Sequence, residues 1–507
     1  MINFQEYTNL TRVVIPNNIS LSNGDFSNAF NNRQTLIVSN FNHSNVTNMA
    51  YIYYNCRNLT ESPPVCSNNV TNMSYAYYYC NNLTGNPVCN NNVIDMSYAY
   101  FYCSNLTGSP VCGNNVTTMN HVYQGCRNLT GSPVCGTKVI DMAGAYVTCS
   151  NLTGSPVCGN NVTSMSGTYE SCTNLTGNPV CGNNVTNMHG TYSGCSKLTG
   201  SPVCSNKIID MYRTYYYCTN LTGNPVCGNN VTMMAGTYHG CNNLTGSPVC
   251  GTKVTNMWET YRDCNNITGS PVCGNNVTIM TSTYHGCRNL KGSPVCGPNV
   301  TAMNGTYRDC YNLTGTPVCG TKVTNMAVTY RNCYSLTGSP VCNNNVIDMS
   351  YAYYNCTNLK GTPACGNNVI DMSYAYYNCT NLTGSPVCGN NVTNMFNTYY
   401  NCTNLTGSPV CGPNVTNIAY AYSYCNNIKA GTFYFKSKNI TCARNCFIGK
   451  NNSRRYNIHV PNNSTTLNSF RINNTRSIVG ANIKWTNSGR NFYNTAYNIY
   501  IYANTSM

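Results

Sequence analysis

Cys379-Thr-Asn-Leu-Thr-Gly-Ser-Pro-Val-Cys-Gly-Asn-Asn-Val-Thr-Asn-Met-Phe-Asn-Thr-Tyr-Tyr-Asn401 is one copy of a unit that fills most of the chain. With its first cysteine taken as position 0, the unit returns every 23 residues from Cys80 to Cys425, and a first step of 24, Cys56 to Cys80, accommodates Pro63-Pro64. Seventeen such cysteines mark the array. One unit is too small to bury its own apolar face, so copies must stack into a solenoid with a shared core.

Within a copy, Val392, Met395, Tyr399 and Cys402 are spaced 3, 4 and 3, which predicts a short helical turn with one buried face. Leu382 and Val387 supply apolar residues to the other half, where Gly384 and Pro386 stop a helix and predict a short strand-like segment. The expected fold is an α/β repeat solenoid, a leucine-rich-repeat-like stack of about 17 rungs with end caps. Position 20 is Tyr in all seventeen copies, among them Tyr53, Tyr77, Tyr146, Tyr261, Tyr330 and Tyr422. They are expected to stack as a core ladder, each hydroxyl needing a partner or an exit to solvent. Row-zero cysteines such as Cys80, Cys103 and Cys126 read as small core hydrophobes.

Val70-Thr71-Asn72-Met73-Ser74-Tyr75-Ala76-Tyr77-Tyr78-Tyr79-Cys80 with Asn82-Leu83-Thr84 resembles the unit of the BspA-like leucine-rich repeat surface proteins, which include mycoplasma-type repeats of unknown function. Leu10-Thr11-Arg12-Val13-Val14-Ile15-Pro16 and Ile458-His459-Val460-Pro461 resemble that family's strand, and Ala29-Phe30 its Ala-Phe pair. In the central copies Ser385-Pro386-Val387-Cys388 stands where the family has Ile-x-Ile-Pro. The resemblance implies a solenoid for adhesion or recognition and supplies no active site.

A second cysteine row, Cys66 to Cys411, follows nine residues after row zero. It reads as reduced structural thiols, with disulfides between neighbouring rungs as the alternative, since like residues about 5 Å apart fall in the disulfide range. A metal is the weakest reading: the array has no Cys-x-x-Cys, only Cys442-x-x-x-Cys446 lies beyond it, and the six His form no row. No cofactor is implied. Asn-x-Ser/Thr triplets such as Asn151-Leu152-Thr153 and Asn161-Val162-Thr163 recur too closely for glycans to occupy them all, and read as corner-forming Asn. A bacterial or bacteriophage host fits unmodified triplets.

Charged residues are 8% of the chain, 27 Lys+Arg against 12 Asp+Glu, which favours acidic partners such as anionic glycans. The positive residues are scattered, and only Arg454-Arg455 clusters, which argues against nucleic acid. No run approaches the roughly 18 apolar residues of a membrane span, and the N-terminus lacks the apolar stretch of a secretory signal. Catalytic motifs are not found, and Asp95, Asp141, Asp210, Asp348 and Asp371, all at position 15, read as first-turn residues facing a helix dipole.

Positions 17, 18, 21 and 22 vary most and would share the face opposite the core. Tyr212, His239, Trp258, Arg262, His285, Arg308 and Arg331 are the candidate ligand contacts, expected to be exposed, because Trp, Tyr and Arg dominate interface energetics. Residues 1–45 read as an N-terminal cap, 46–425 as the solenoid, and 426–507 as a C-terminal cap or attachment module with β-strands, a place for homo-oligomer contacts. The expected function is non-enzymatic recognition of a host-cell or bacterial-surface ligand, protein or glycan, by a virion or extracellular surface protein such as a phage tail component. A bacterial surface adhesin and a thiol-rich structural spacer or fibre are the alternatives.

Overall fold

The computed structural model describes residues 7–15, 24–41, 45–61, 66–428 and 431–447, with short stretches at 456–461, 465–466, 484–485, 491–494 and 499–504. The chain forms two compact units, Met1–Val254 and Thr255–Met507. Each is a stack of 23-residue rungs joined by single parallel bridges at position 15, from Asp25 to Met233 in the first unit and from Asn256 to Cys442 in the second.

The expected helical turn is corrected: among the described residues of the array, positions 17–22 form chained tight turns with no α-helix. Alternate N–H groups have different destinations. Ala76, Tyr78 and Cys80 donate within the turn to the carbonyls of Met73, Tyr75 and Tyr77, whereas Met73, Tyr75, Tyr77 and Tyr79 donate to Asp95, Ser97, Ala99 and Phe101 of the next rung. An α-helix would spend nearly all its donors internally and leave the rungs joined only by side chains. Splitting them requires a left-handed residue at positions 18 and 22, as at Tyr75 (φ 56°) and Tyr79 (φ 57°), the third residue of a turn with type II geometry. The 3-4-3 spacing survives because the turn chain also points Val, Met, Tyr and Cys inward.

The other half is extended, without a regular strand in the array until Val410–Cys411. The helix-dipole reading of position 15 is corrected as well. Asp95 Oδ1 accepts the N–H of Ser97 at 2.8 Å, and Asp210 Oδ1 that of Tyr212 at 2.7 Å. These are Asx turns that start the turn chain.

The core is as expected at position 20. Tyr53, Tyr77, Tyr146, Tyr261, Tyr330 and Tyr422 are wholly buried, as are Cys80, Cys103 and Cys126. Rings stack 5.1 Å apart at Tyr77–Tyr100 and 5.6 Å apart at Tyr146–Tyr169 in the first unit, and 5.3 Å apart at Tyr330–Tyr353 in the second. Most of the hydroxyls reach the opposite half of the rung, as where Val88 N–H donates to Tyr100 Oη (3.0 Å), which donates to the Val88 carbonyl (2.9 Å), whereas those of Tyr77 and Tyr422, near the two ends of the ladder, find no partner among the described residues. A buried Thr at position 19 adds a link the sequence reading missed, with Thr191 Oγ1 2.8 Å from the Met165 carbonyl of the preceding rung.

At the N-terminal end, β1 (Arg12–Ile15) pairs in parallel with β2 (Val38–Phe41), and Phe30 stacks on Tyr53 at 5.3 Å. In the second unit β3 (Val410–Cys411), β4 (Gly431–Phe435), β5 (Tyr456–Pro461), β6 (Lys484–Trp485), β7 (Asn491–Asn494) and β8 (Ile499–Asn504) make one sheet in the order β3-β4-β5-β8-β7-β6. The alternating Tyr497-Asn498-Ile499-Tyr500-Ile501-Tyr502 reads as a strand in the sequence; its residues 499–502 lie in β8, with 497–498 outside the described residues, and Ile458–Pro461 lies in β5. Arg454-Arg455 lies outside the described residues. No helix among the described residues is long and apolar enough to cross a membrane.

Candidate recognition surface

The turn chain carries the variable side chains, and stacking brings like positions of adjacent rungs together. The expectation that the seven candidates are exposed is corrected: six are half-buried and His239 is buried, 4% exposed. Rungs this close cover each other's side chains, leaving edges and polar tips to solvent.

In the first unit, Tyr212 lies 4.8 Å from the His189 ring, and the guanidinium of Arg213 sits 5.2 Å from the Tyr212 centroid and 4.8 Å from that of Tyr216. His239 packs against Tyr216 and Tyr217 at 4.8 and 5.1 Å. In the second unit the Trp258 N–H donates to Asn256 Oδ1 at 2.8 Å. Arg262 Nη1 pairs with Glu259 Oε1 at 2.6 Å, and its Nε is 3.5 Å from Asp263 Oδ2.

His285 and Arg308 converge on one carboxylate. Asp309 Oδ2 is 3.4 Å from His285 Nε2 and 3.3 Å from Arg308 Nε, while Asn332 Nδ2 donates to Oδ1 at 2.6 Å. Burial raises the Asp309 pKa, but the hydrogen bonds from His285 and Asn332 and the charge of Arg308 outweigh it and lower the group to about 2. Arg331 lies over the next aromatic pair, 5.7 Å from Tyr351 and 5.2 Å from Tyr354.

Two aromatic double columns were not singled out in the sequence. Tyr51, Tyr75 and Tyr98 stack at position 18 beside Tyr54, Tyr78 and Phe101 at position 21, with 4.7–4.8 Å between successive rings. Tyr351–Tyr374 and Tyr354–Tyr377 repeat the motif in the second unit at 4.4 and 4.8 Å. The readable signal was the recurring Ser-Tyr-Ala-Tyr-Tyr, as at 74–78, 350–354 and 373–377.

The cysteines of both rows are free thiols. Row zero is fastened to the preceding rung, as in Cys80 Sγ to the Tyr53 carbonyl at 3.0 Å and Cys103 Sγ to that of Tyr77 at 3.0 Å. Burial pushes Cys80 and Cys103 well above the ordinary thiol range, Cys112 of the second row up to about 11 and Cys365 up to about 12. Such thiols stay protonated at neutral pH and are poor nucleophiles. Among the described residues no group of three or more His, Cys, Asp or Glu could hold a metal ion.

These rungs define a tandem-repeat solenoid. Residues 19–133 match the family described as "Mycoplasma protein of unknown function, DUF285", the stretch in which the sequence resemblance lies, and the 23-residue period of that stretch continues to Cys425. No curated protein matches. Similar solved structures include a leucine-rich repeat protein from Bacteroides ovatus, 16% identical over 60% of this chain and 78% of that one with a TM-score of 0.45. A leucine rich cell surface protein from Faecalibacterium prausnitzii is 15% identical over 65% and 87%, TM-score 0.33. YopM from Yersinia enterocolitica is 10% identical over 78% and 74%, TM-score 0.31.

Proposed function

We propose that the chain is a non-enzymatic recognition protein that presents the side chains of its turn edge to a ligand on a cell surface. One observation carries this reading: an invariant scaffold holds changing decoration in fixed register. Arg262 with Glu259, His285 and Arg308 on Asp309, and Arg331 over Tyr351 and Tyr354 are braced by neighbours before any ligand arrives. Preorganised polar and aromatic groups lose little freedom on binding, which suits a contact surface.

The finer reading is a virion component, tail-associated and receptor-binding, with a bacterial surface adhesin as the alternative. A bacterial or phage setting is supported by the triplet asparagines. Asn161 and Asn184 spend their amide nitrogens on carbonyls of the preceding rung, at 3.0 Å each, so these asparagines have a structural use within the stack.

The test is binding of labelled chain to a panel of bacterial cells and immobilised mucins, beside a variant carrying Ser-Tyr-Ala-Tyr-Tyr-Asn decoration in every rung from Val185 to Cys342. Selective binding that the variant loses is expected. Equal binding by both proteins, or none by the parent, would remove the turn edge as a recognition surface.

A further inference from the structure

The face formed by positions 11–14 has a different chemistry from the turn edge. Position 13 points inward and positions 12 and 14 outward: Val93 is wholly buried, whereas Asn92 is exposed and Ile94 is 50% exposed. Repetition turns these into two parallel columns. In the first unit position 14 runs Thr71, Ile94, Thr117, Ile140, Thr163, Thr186, Ile209, Thr232, and position 12 includes Asn92, Asn115, Lys138, Asn161, Asn184, Lys207, Asn230 and Lys253. Between them lies an open groove of about 470 Å³ lined by Thr71, Asn92, Ile94, Asn115, Thr117 and Lys138.

The hydrogen bonds fix what this groove offers. Thr117 and Thr186 donate their hydroxyls to position-14 carbonyls of the preceding rung at 3.2 Å each, so those protons are spent inside the ladder. Asn92, Asn161, Asn184 and Asn230 donate their amide nitrogens to position-11 carbonyls of the preceding rung at 2.6–3.0 Å. Their Oδ1 atoms therefore serve the outer side, as the lysines on Asn184 and Asn230 show, and Asn115 takes a third lysine in the same way. Lys138, Lys207 and Lys253 reach Oδ1 of Asn115, Asn184 and Asn230 at 2.6–2.7 Å. Each ammonium is held on the groove with N–H groups to spare.

No Asp or Glu occupies positions 10–14 of any copy between Ser67 and Thr255. The nearest carboxylates, at position 15, are turned to their own backbone, as in Asp95 Oδ1 to Ser97 N–H. The second unit repeats the design in part, with Asn345 donating to the Thr321 carbonyl at 2.8 Å but Asn391 to Asn368 Oδ1, and its lysine one rung before the groove. A groove of about 490 Å³ is lined by Asn345, Ile347, Asn368, Ile370, Asn391 and Thr393, and Lys322 reaches Asn299 Oδ1 at 2.6 Å.

We propose that this face binds a linear acidic polysaccharide lying along the stack. Amide oxygens accept its hydroxyls, the isoleucine and threonine methyl columns pack against its C–H surfaces, and the pinned lysines pair with its carboxylates. A rung spacing of about 4.8 Å is close to the length of one sugar ring, so neighbouring rungs meet neighbouring sugars in similar registers. A peptide fits less well, because the strip has few donors for peptide carbonyls. Nucleic acid fits less well too, because the groove has no aromatic platform and its lysines stand two or three rungs apart. This site is separate from the turn edge and does not rest on it.

The test is affinity electrophoresis of the full chain through gels containing alginate, dextran, polyglutamate or poly(dT). Alginate alone is expected to retard the protein strongly, with the effect lost at high salt. K138Q/K207Q/K253Q/K322Q is expected to weaken binding by about tenfold or more, as loss of several charge contacts requires. I94E/I140E/I209E/I347E/I370E, all at exposed positions in the position-14 columns of the two units, is expected to abolish retardation while the melting curve is kept. The turn-edge variant should be retarded like the parent. Failure of alginate to retard the chain, equal retardation by polyglutamate or poly(dT), or full binding by either groove variant would overturn the proposal. Loss of alginate binding in the turn-edge variant would overturn the assignment to this face.

Discussion

Gly190 isolates the demand that the turn edge makes on one residue. Its φ is +60°, and a Cβ added there would meet nothing within 4 Å. Gly190→Val places its Cβ in open space, so its cost is chiefly backbone strain, about 1–2 kcal/mol, with Gly190→Asn much milder because Asn tolerates this region. Urea unfolding measures both, and a Val variant as stable as the parent would show that position 18 imposes no such demand. The same requirement explains what the sequence reading missed. Gly144, Gly167, Gly236 and Gly305 share position 18, and Asn332, Asn355, Asn378 and Asn401 share position 22. In a helix these are poor choices; in a left-handed turn residue they are the natural ones. Where Tyr75, Glu259 or Val328 takes position 18 instead, the stack around it holds the strain.

At the scale of the element, the tyrosine ladder was legible because its residue never changes, but the use of its hydroxyls was not. Their partner is twelve residues away, in the extended half just after the Pro, and no periodicity links them. Tyr146 Oη donates to the Val134 carbonyl at 2.7 Å and accepts from Val134 N–H at 3.0 Å, so the ladder clips the extended half of the rung in place. Tyr146→Phe should cost about 1–3 kcal/mol by leaving that backbone unpaired, and should raise exchange at the Val134 amide without disturbing ring stacking. Unchanged protection at Val134 would refute the clip. The candidate surface was half legible in the same way. Variability found positions 17, 18, 21 and 22, whereas burial depends on the neighbouring rung: His239 is covered by Tyr216 and Tyr217, and Asp309, where His285 and Arg308 meet, belongs to a different copy from His285.

For the whole molecule, a 23-residue period means that chain length can change only in whole rungs. Removing Val162–Asn184 joins Asn161 to Val185 and restores every column in the first unit. That variant should keep a cooperative transition and the near-ultraviolet spectrum of stacked tyrosine, losing about one rung's share of stability. Removing only 162–173 sets turn positions against loop positions and should prevent folding. If both deletions behave alike, register does not govern the stack. The donor pattern gives this periodic object a direction. Along the turn edge each rung hands its alternate N–H groups to the rung after it and receives those of the rung before. A fragment cut within either unit would end in unanswered amides at its C-terminal face and begin with unanswered carbonyls at its N-terminal face. Those two faces complement each other and not themselves. Broken pieces of this protein would add head to tail, growing as polar filaments with two kinetically distinct ends.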